Sequence, residues 1–138
     1  MTLSFYLKFD GHCAEAFRFY ADKLGAEIQV MSSWGDGPMA DQVDPADAQR
    51  IMHASLRLGG AEIMGTDSTS ADTATAISGA NVVYGADTAE EADRIFALLA
   101  EGGQIQVPIA ESFWAQRFGI VQDRFGVPWM VNCDKPQE

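Results

Sequence analysis

The feature that most constrains this chain is an internal repeat. Asp10–Ile28 reads as a cap, an amphipathic helix, a glycine stop and a new strand, and Asp87–Ile105 reads the same way at a constant offset. Asp10 falls on Asp87, Phe19 on Phe96, Gly25 on Gly102 and Ile28 on Ile105. A duplicated unit of this size predicts two equivalent half-folds packed together, with a cleft that both halves line. At 138 residues the chain is expected to be one domain: a first module over about residues 1–67, a linker over about 68–78, and a second module over about 79–138.

Each half parses alike. Leu3–Phe9 is strand-like, Asp10 or Gly11 can cap a helix, and Cys13, Ala16, Phe17, Tyr20 and Leu24 recur at helical spacing until Gly25. Glu27–Ser33 reads as a strand, and Trp34–Gln49 as a long loop of the kind that often serves as a lid. Ile51–Leu58 and Ala61–Thr66 read as a hairpin about Gly59-Gly60. In the second half a strand lies around Gly79–Ala86. Thr88 and Glu91 then match a capping box, and Ala92, Ile95, Phe96 and Leu99 form the apolar helix face before Gly102-Gly103. Strands at Gln104–Pro108, Gln116–Gln122 and Val127–Cys133 complete it. The predicted fold is α+β: two tandem βαβββ modules, each a curled mixed sheet around a cleft with its helix outside.

Composition narrows the function. Twenty acidic residues against nine basic ones give a net charge of −11, which disfavours nucleic acid and anionic membranes as partners. Cys13 and Cys133 form no C-x-x-C and read as buried thiols of a reducing compartment. No secretory leader opens the chain and no apolar run approaches ~18 residues. A cytoplasmic protein is the expectation, and exposed strand edges favour a homodimer.

Several stretches together carry a resemblance: Tyr6-Leu7-Lys8-Phe9-Asp10-Gly11 with Phe19-Tyr20, and Ile51-Met52-His53-Ala54. Glu91-Ala92-Asp93-Arg94-Ile95-Phe96 running to Gly102-Gly103 belongs with them, as do Phe113-Trp114 and Arg117-Phe118-Gly119. The last is Asp123-Arg124-Phe125-Gly126-Val127-Pro128-Trp129-Met130-Val131-Asn132-Cys133. Nearly the whole chain resembles the PhnB-like branch of the vicinal oxygen chelate superfamily, which includes glyoxalase I, bleomycin-resistance proteins and extradiol dioxygenases. The resemblance implies divalent-metal chemistry, with His or Glu ligands from the first and last strands of each half. The corresponding positions here are Phe5, Met64, Asn81 and Met130, none a good ligand for Zn, Ni, Mn or Fe. The expectation is therefore no cofactor; a divalent metal would need ligands that are not evident. Members of this branch are sometimes labelled ubiquinone-pathway methyltransferases, but nothing here resembles a glycine-rich methyl-donor site. Gly35-x-Gly37-x-x-Ala40 fits a dinucleotide fingerprint on paper, yet Pro38 and Pro45 interrupt the helix it needs. P-loop, G-x-S-x-G and H-E-x-x-H motifs are missing, and two histidines, His12 and His53, cannot build a multi-histidine cage.

The remaining candidates follow from strand pairing. The Gly59-Gly60 turn sets Arg57 opposite Glu62, Ser55 opposite Met64 and His53 opposite Thr66 on one side. Met52, Ala54, Leu56, Leu58, Ala61 and Ile63 fall on the side that packs on the helices. His53, in or near the cleft, is a candidate general acid or base, or else a structural histidine. Arg57 and Glu62 read as a cross-strand ion pair. If Gln122 pairs with Val127, then Arg117 pairs with Asn132 and Gly119 with Met130 in the cleft, and Phe118, Ile120, Trp129 and Val131 face the helix. Arg117 would clamp a carboxylate or phosphate, or be tied to a nearby acid. Trp34, Phe113 and Trp114 at the mouth would stack on a flat ligand or seal the barrel edge. Two functions result: a small-molecule binding protein lined by Ser55, Met64, Asn81, Trp114, Arg117, Met130 and Asn132 without catalytic metal, or an enzyme (a lyase, isomerase or dioxygenase) acting on a small oxygenated substrate with His53 as acid–base.

Overall fold

The computed structural model describes residues 1–70 and 76–136. The chain divides into two compact units, Met1–Thr75 and Ala76–Glu138. Most of the centre of the predicted linker, residues 71–75, lies outside the described residues. Its first part belongs structurally to the first unit, because Ser68 N–H donates to Phe9 O and Ser70 donates to the Asp47 carboxylate.

The first unit runs β1 (Ser4–Phe9), α1 (Cys13–Leu24), β2 (Glu27–Ser33), β3 (Ile51–Leu58) and β4 (Ala61–Asp67). Its sheet has the order β1-β4-β3-β2, with β1 parallel to β4 and the other pairs antiparallel. α1 lies across one face, and its apolar stripe of Cys13, Ala16, Phe17, Tyr20 and Leu24 is buried together with Phe19. Gly65 on β4 allows this approach: a Cβ there would stand 2.9 Å from Phe17 Cζ and 3.1 Å from Cys13 Sγ. The helix ends at Gly25 in the left-handed region (φ 78°), as the glycine stop predicted.

The start of α1 differs from expectation. Neither Asp10 nor Gly11 caps it; the cap position is His12, whose side chain makes no capping bond. The capping acceptor comes instead from the far end of β4, where the buried Asp67 Oδ1 accepts from Gly11 N and Cys13 N, both at 3.0 Å. Its other oxygen accepts from Ile51 N at 2.8 Å. Asp10 is left free to pair with Arg50 at 2.9 Å, and that guanidinium holds its carboxyl below the usual carboxylate range.

Trp34–Gln49 is tied down at its base. Trp34 N and Gly35 N donate to Arg50 O and Ala48 O, Trp34 Nε1 donates to Asp67 O, and two single turns of 3-10 helix, Ala40–Gln42 and Pro45–Asp47, occupy its middle. Trp34 is thereby a loop anchor. The glycines of the paper dinucleotide motif lead into three helical residues only.

The second unit repeats the plan: β5 (Val82–Gly85), α2 (Ala89–Ala100), β6 (Gln104–Ala110), β7 (Ala115–Gln122) and β8 (Pro128–Asp134), in the order β5-β8-β7-β6 with β5 parallel to β8. The expected face of α2 (Ala92, Ile95, Phe96, Leu99) is buried. Thr88 Oγ1 accepts from Glu91 N, and the Glu91 carboxylate turns back to accept from Asp87 N and from the Tyr84 hydroxyl. This cap is local, unlike that of α1. Gly119 on β7 faces α2, since a Cβ there would stand 2.7 Å from Phe96 Cε2. Cys13 and Cys133 are both free and buried, and burial pushes the Cys13 thiol up to about 12.

Candidate functional site

Each sheet has one face on its helix and one turned away from it, and the strand registers decide which residues share the second. In the first unit the hairpin register is as the two-glycine turn dictates, with Arg57 opposite Glu62 and Ser55 opposite Met64. Gly65 and Ile63 face α1, so Met64 faces away. Parallel pairing sets Tyr6 beside Met64, and β2 sets Val30 against Ser55 and Ser32 against His53. The face thus carries Tyr6, Met64, Ser55, His53 and Val30.

Two expectations for this face are corrected. Phe5 pairs with Ile63 and so lies on the helix side; the β1 residue next to Met64 is Tyr6. Arg57 and Glu62 do face each other but make no ion pair. Glu62 accepts instead from Ser4 Oγ at 3.4 Å, and exposed Arg57 stays with water, which competes well with an isolated surface pair. A third correction concerns Met52. Ser32 pairs with His53 but Ser33 with Ile51, which leaves Met52 as an extra residue in β3. The Thr66 hydroxyl donates to Met52 O at 2.7 Å, and the Met52 thioether packs on Gly37 of the loop rather than on the helix.

His53 is half-buried. Its ring stacks on Tyr6 (centroids 6.0 Å apart, planes 29° apart), with Tyr6 Oη 3.5 Å from Nδ1. Ser55 is only 6% exposed, and its hydroxyl is not among the buried polar atoms that lack a partner.

In the second unit the expected β7–β8 register is off by one. Gln122 pairs with Pro128, not Val127, so Ile120 faces Met130, Phe118 faces Asn132 and Arg117 faces Cys133. The cause is the turn. Asp123 N–H donates to Val127 O, and the buried Asp123 carboxylate accepts from Phe125 N, Val127 N and Trp129 Nε1, which lengthens the loop by one residue. A one-residue slip turns every β7 side chain over. Met130 and Asn132 do lie on the face away from α2, and Trp129 and Val131 on the buried side. Phe118 and Ile120 join Met130 and Asn132, while Gly119 faces the helix. Arg117 goes to the α2 side and pairs with Asp93 at 3.0 Å; it does not line the away face. Asn81 precedes β5 and is exposed; the partner of Met130 is Val83. Trp114 packs edge-on against Phe118 (5.1 Å) and Phe113 (4.8 Å). Asn132 Nδ2 donates to Asp134 Oδ1 at 2.8 Å, and its buried Oδ1 has no partner among the described residues.

Tyr6, Phe118 and Ile120 were missed. The signal for Tyr6 was present: apolar Leu7 and Phe9 flank Lys8, and this alternation puts Tyr6 with Lys8, away from the core. Phe118 and Ile120 depended on the length of one turn, which the residues around Asp123 do not announce.

A mixed four-stranded sheet with one helix across a face, built twice in βαβββ order, defines the vicinal oxygen chelate class. A glyoxylase/bleomycin resistance protein/dioxygenase domain from Frankia sp. EAN1pec shares this fold at TM-score 0.71 and 13% identity, over 100% of this chain and 94% of that one. Within the class, residues 2–132 match the family described as 3-demethylubiquinone-9 3-methyltransferase, and the chain belongs to that PhnB-like family. It is 39% identical to Protein YjdN of Escherichia coli (strain K12), over 99% of this chain and 98% of that protein. Protein PA1353 from Pseudomonas aeruginosa matches at 41% identity and TM-score 0.89, over 99% of each chain. A putative 3-demethylubiquinone-9 3-methyltransferase, PhnB protein, from Bacillus cereus matches at 28% identity and TM-score 0.81, over 96% of this chain and 99% of that one.

The class implies a divalent metal, and the donor set can be tested against it. Among the described residues no three His, Cys, Asp or Glu side chains gather closely enough to hold one. The paired strand positions facing away from the helices carry Tyr6, Met64, Val83 and Met130. Thioethers and an aliphatic side chain are poor donors for hard or borderline divalent ions. These residues do not fit the class's metal centre. Among the described residues no helix is long and apolar enough to cross a membrane.

Proposed function

We propose that this chain binds a small molecule on the first unit's sheet face around His53 and Ser55, without the metal that serves its class. The observation that carries this reading is one sheet face that brings together His53, the Tyr6 ring stacked on it, the Ser55 hydroxyl and Met64, so that polar donors stand beside apolar surface. A ligand there would exchange the hydroxyl's contact with solvent for a hydrogen bond of its own. The second unit has an apolar and aromatic surface of its own, where Trp114 packs on Phe118 and Phe118 shares a sheet face with Met130. The family's description names methyl transfer, but Gly35 and Gly37, which follow β2, lead into no helix that could seat a nucleotide-type methyl donor.

The second reading, an enzyme acting on a small oxygenated substrate, is favoured by the His53–Tyr6 contact, which puts an acid–base group beside a phenol. His53→Ala separates the two: retained binding with lost turnover favours the enzyme. A cytoplasmic homodimer belongs to the same proposal, supported by the two free buried thiols and by the exposed edge strand β6 with Ile105 and Val107. The test is an NMR screen of small aromatic and hydroxylated acids in chelator-treated buffer. Support is amide shifts centred on His53, Ser55 and Met64 that weaken in Ser55→Ala. Shifts confined to other surfaces, or binding that appears only with added Mn or Zn, would overturn the reading.

A further inference from the structure

The contact between Tyr6 and His53 determines more than proximity. A phenol O–H donates better than its oxygen accepts, and the bare nitrogen of a neutral imidazole is a good acceptor. The 3.5 Å approach of Tyr6 Oη is to Nδ1, and the stacked rings, 29° from parallel, hold it there. We propose that Tyr6 is a positioning residue that keeps neutral His53 in the tautomer carrying its proton on Nε2, so that the face presents a fixed N–H donor.

Ser55 lies two residues along β3 on the same side, about 6.7 Å away at Cα by strand geometry. Its hydroxyl, on the same face opposite Met64, is a second donor. Tyr6 spends its own proton on Nδ1. The carboxylate of this face, Glu62, lies beyond Met64 opposite Arg57, so the two donors select an acceptor oxygen, that is, a carboxylate or carbonyl group on the ligand. This class of ligand rests on the binding site proposed above, whereas the tautomer does not. The class is also a discriminating expectation, because a net charge of −11 attracts cations at long range. Preference for a carboxylate would have to come from the local donors.

The tautomer is read from two-bond proton–nitrogen correlations of 15N-histidine-labelled protein at about pH 8.5, where imidazole is neutral. Exposed His12, the one other histidine, is the internal reference. We expect His53 in the Nε2–H form alone, and in Tyr6→Phe a tautomer mixture equal to that of His12. Tyr6 is 55% exposed, so the variant keeps the core, and unchanged His12 signals confirm it. His53 protonated on Nδ1, or an identical pattern in Tyr6→Phe, would overturn the assignment. Titration with benzoate and with benzylammonium then tests the ligand class. Benzoate should shift His53 and Ser55 and bind at least threefold more weakly to Tyr6→Phe. Stronger binding of benzylammonium, or binding of neither, would overturn the class while the tautomer result stands on its own.

Discussion

Replacing Asp67 should cost the first unit more than any other single surface-to-core polar change. The carboxylate is 2% exposed and accepts three backbone N–H groups, from Gly11 and Cys13 at 3.0 Å and from Ile51 at 2.8 Å. Hydrogen bonds to a charged acceptor are each worth about 1.5–3 kcal/mol, and orphaned buried donors cost a similar amount. Three bonds sharing one carboxylate are not additive, and removing the buried charge returns part of its desolvation cost. The net expectation for Asp67→Ala is therefore a loss of about 3–5 kcal/mol. Asp67→Asn keeps an oxygen for Gly11 and Cys13 but turns an NH2 against Ile51 N–H, so it should lose about 1.5–3 kcal/mol. Urea unfolding followed by fluorescence measures both. Trp34 reports on this region directly, since its Nε1 donates to Asp67 O at 3.4 Å. Amide exchange of Gly11, Cys13 and Ile51 should accelerate in both variants, with Ile51 alone accelerating strongly in Asp67→Asn. A loss under about 0.5 kcal/mol for Asp67→Ala, the usual range of a surface change, would refute the view that this carboxylate holds the helix start and β3 together.

Three further outcomes can be checked. Gly65→Ala and Gly119→Ala should each destabilise by about 1–3 kcal/mol in denaturant melts, because the added methyl meets Phe17 and Cys13 in one case and Phe96 and the Ile109 backbone in the other. Glu91 is held below its ordinary value of 4.5, first by the Asp87 backbone N–H and then by the Tyr84 hydroxyl. A depressed acid stabilises above its unfolded value and loses that contribution as pH falls through its folded value. The stability gap between the native chain and Glu91→Gln should thus be full at neutral pH and close on the acid side of 4.5. Neither buried cysteine should react with a thiol reagent until the protein unfolds, and in the folded chain burial also pushes the Cys13 thiol up to about 12, which withholds its thiolate.

The sequence and the structure agree where local chemistry is decisive. Gly59-Gly60 allows one tight turn, and from it the pairing of Ser55 with Met64 and the burial of Ala54, Leu56 and Ile63 follow. The helix stripes and the stop at Gly25 were legible for the same reason. Failures began where a long-range partner decides. The cap of α1 comes from a residue 54 positions away, so nothing near Asp10 announces it. The β7–β8 register turns on whether Asp123 closes its loop at Val127, and that choice moved Arg117 from the candidate site to Asp93. His53 and Ser55 were readable because their hairpin is short; alternation with Leu7 and Phe9 gave the side on which Tyr6 lies, but not its partner Met64, because parallel pairing joins strands distant in sequence.

The two helix caps carry a consequence for kinetics. α2 closes its first turn with Thr88 and Glu91, four residues of contiguous chain, so it can nucleate early. α1 has to wait for β4 to arrive, paying the loop-closure entropy of the intervening hairpin first. Two halves of similar architecture should therefore reach their transition states by different routes. Mutations at Thr88 should slow folding of the second half, whereas mutations at Asp67 should chiefly speed unfolding of the first. A duplicated fold need not inherit a duplicated folding pathway.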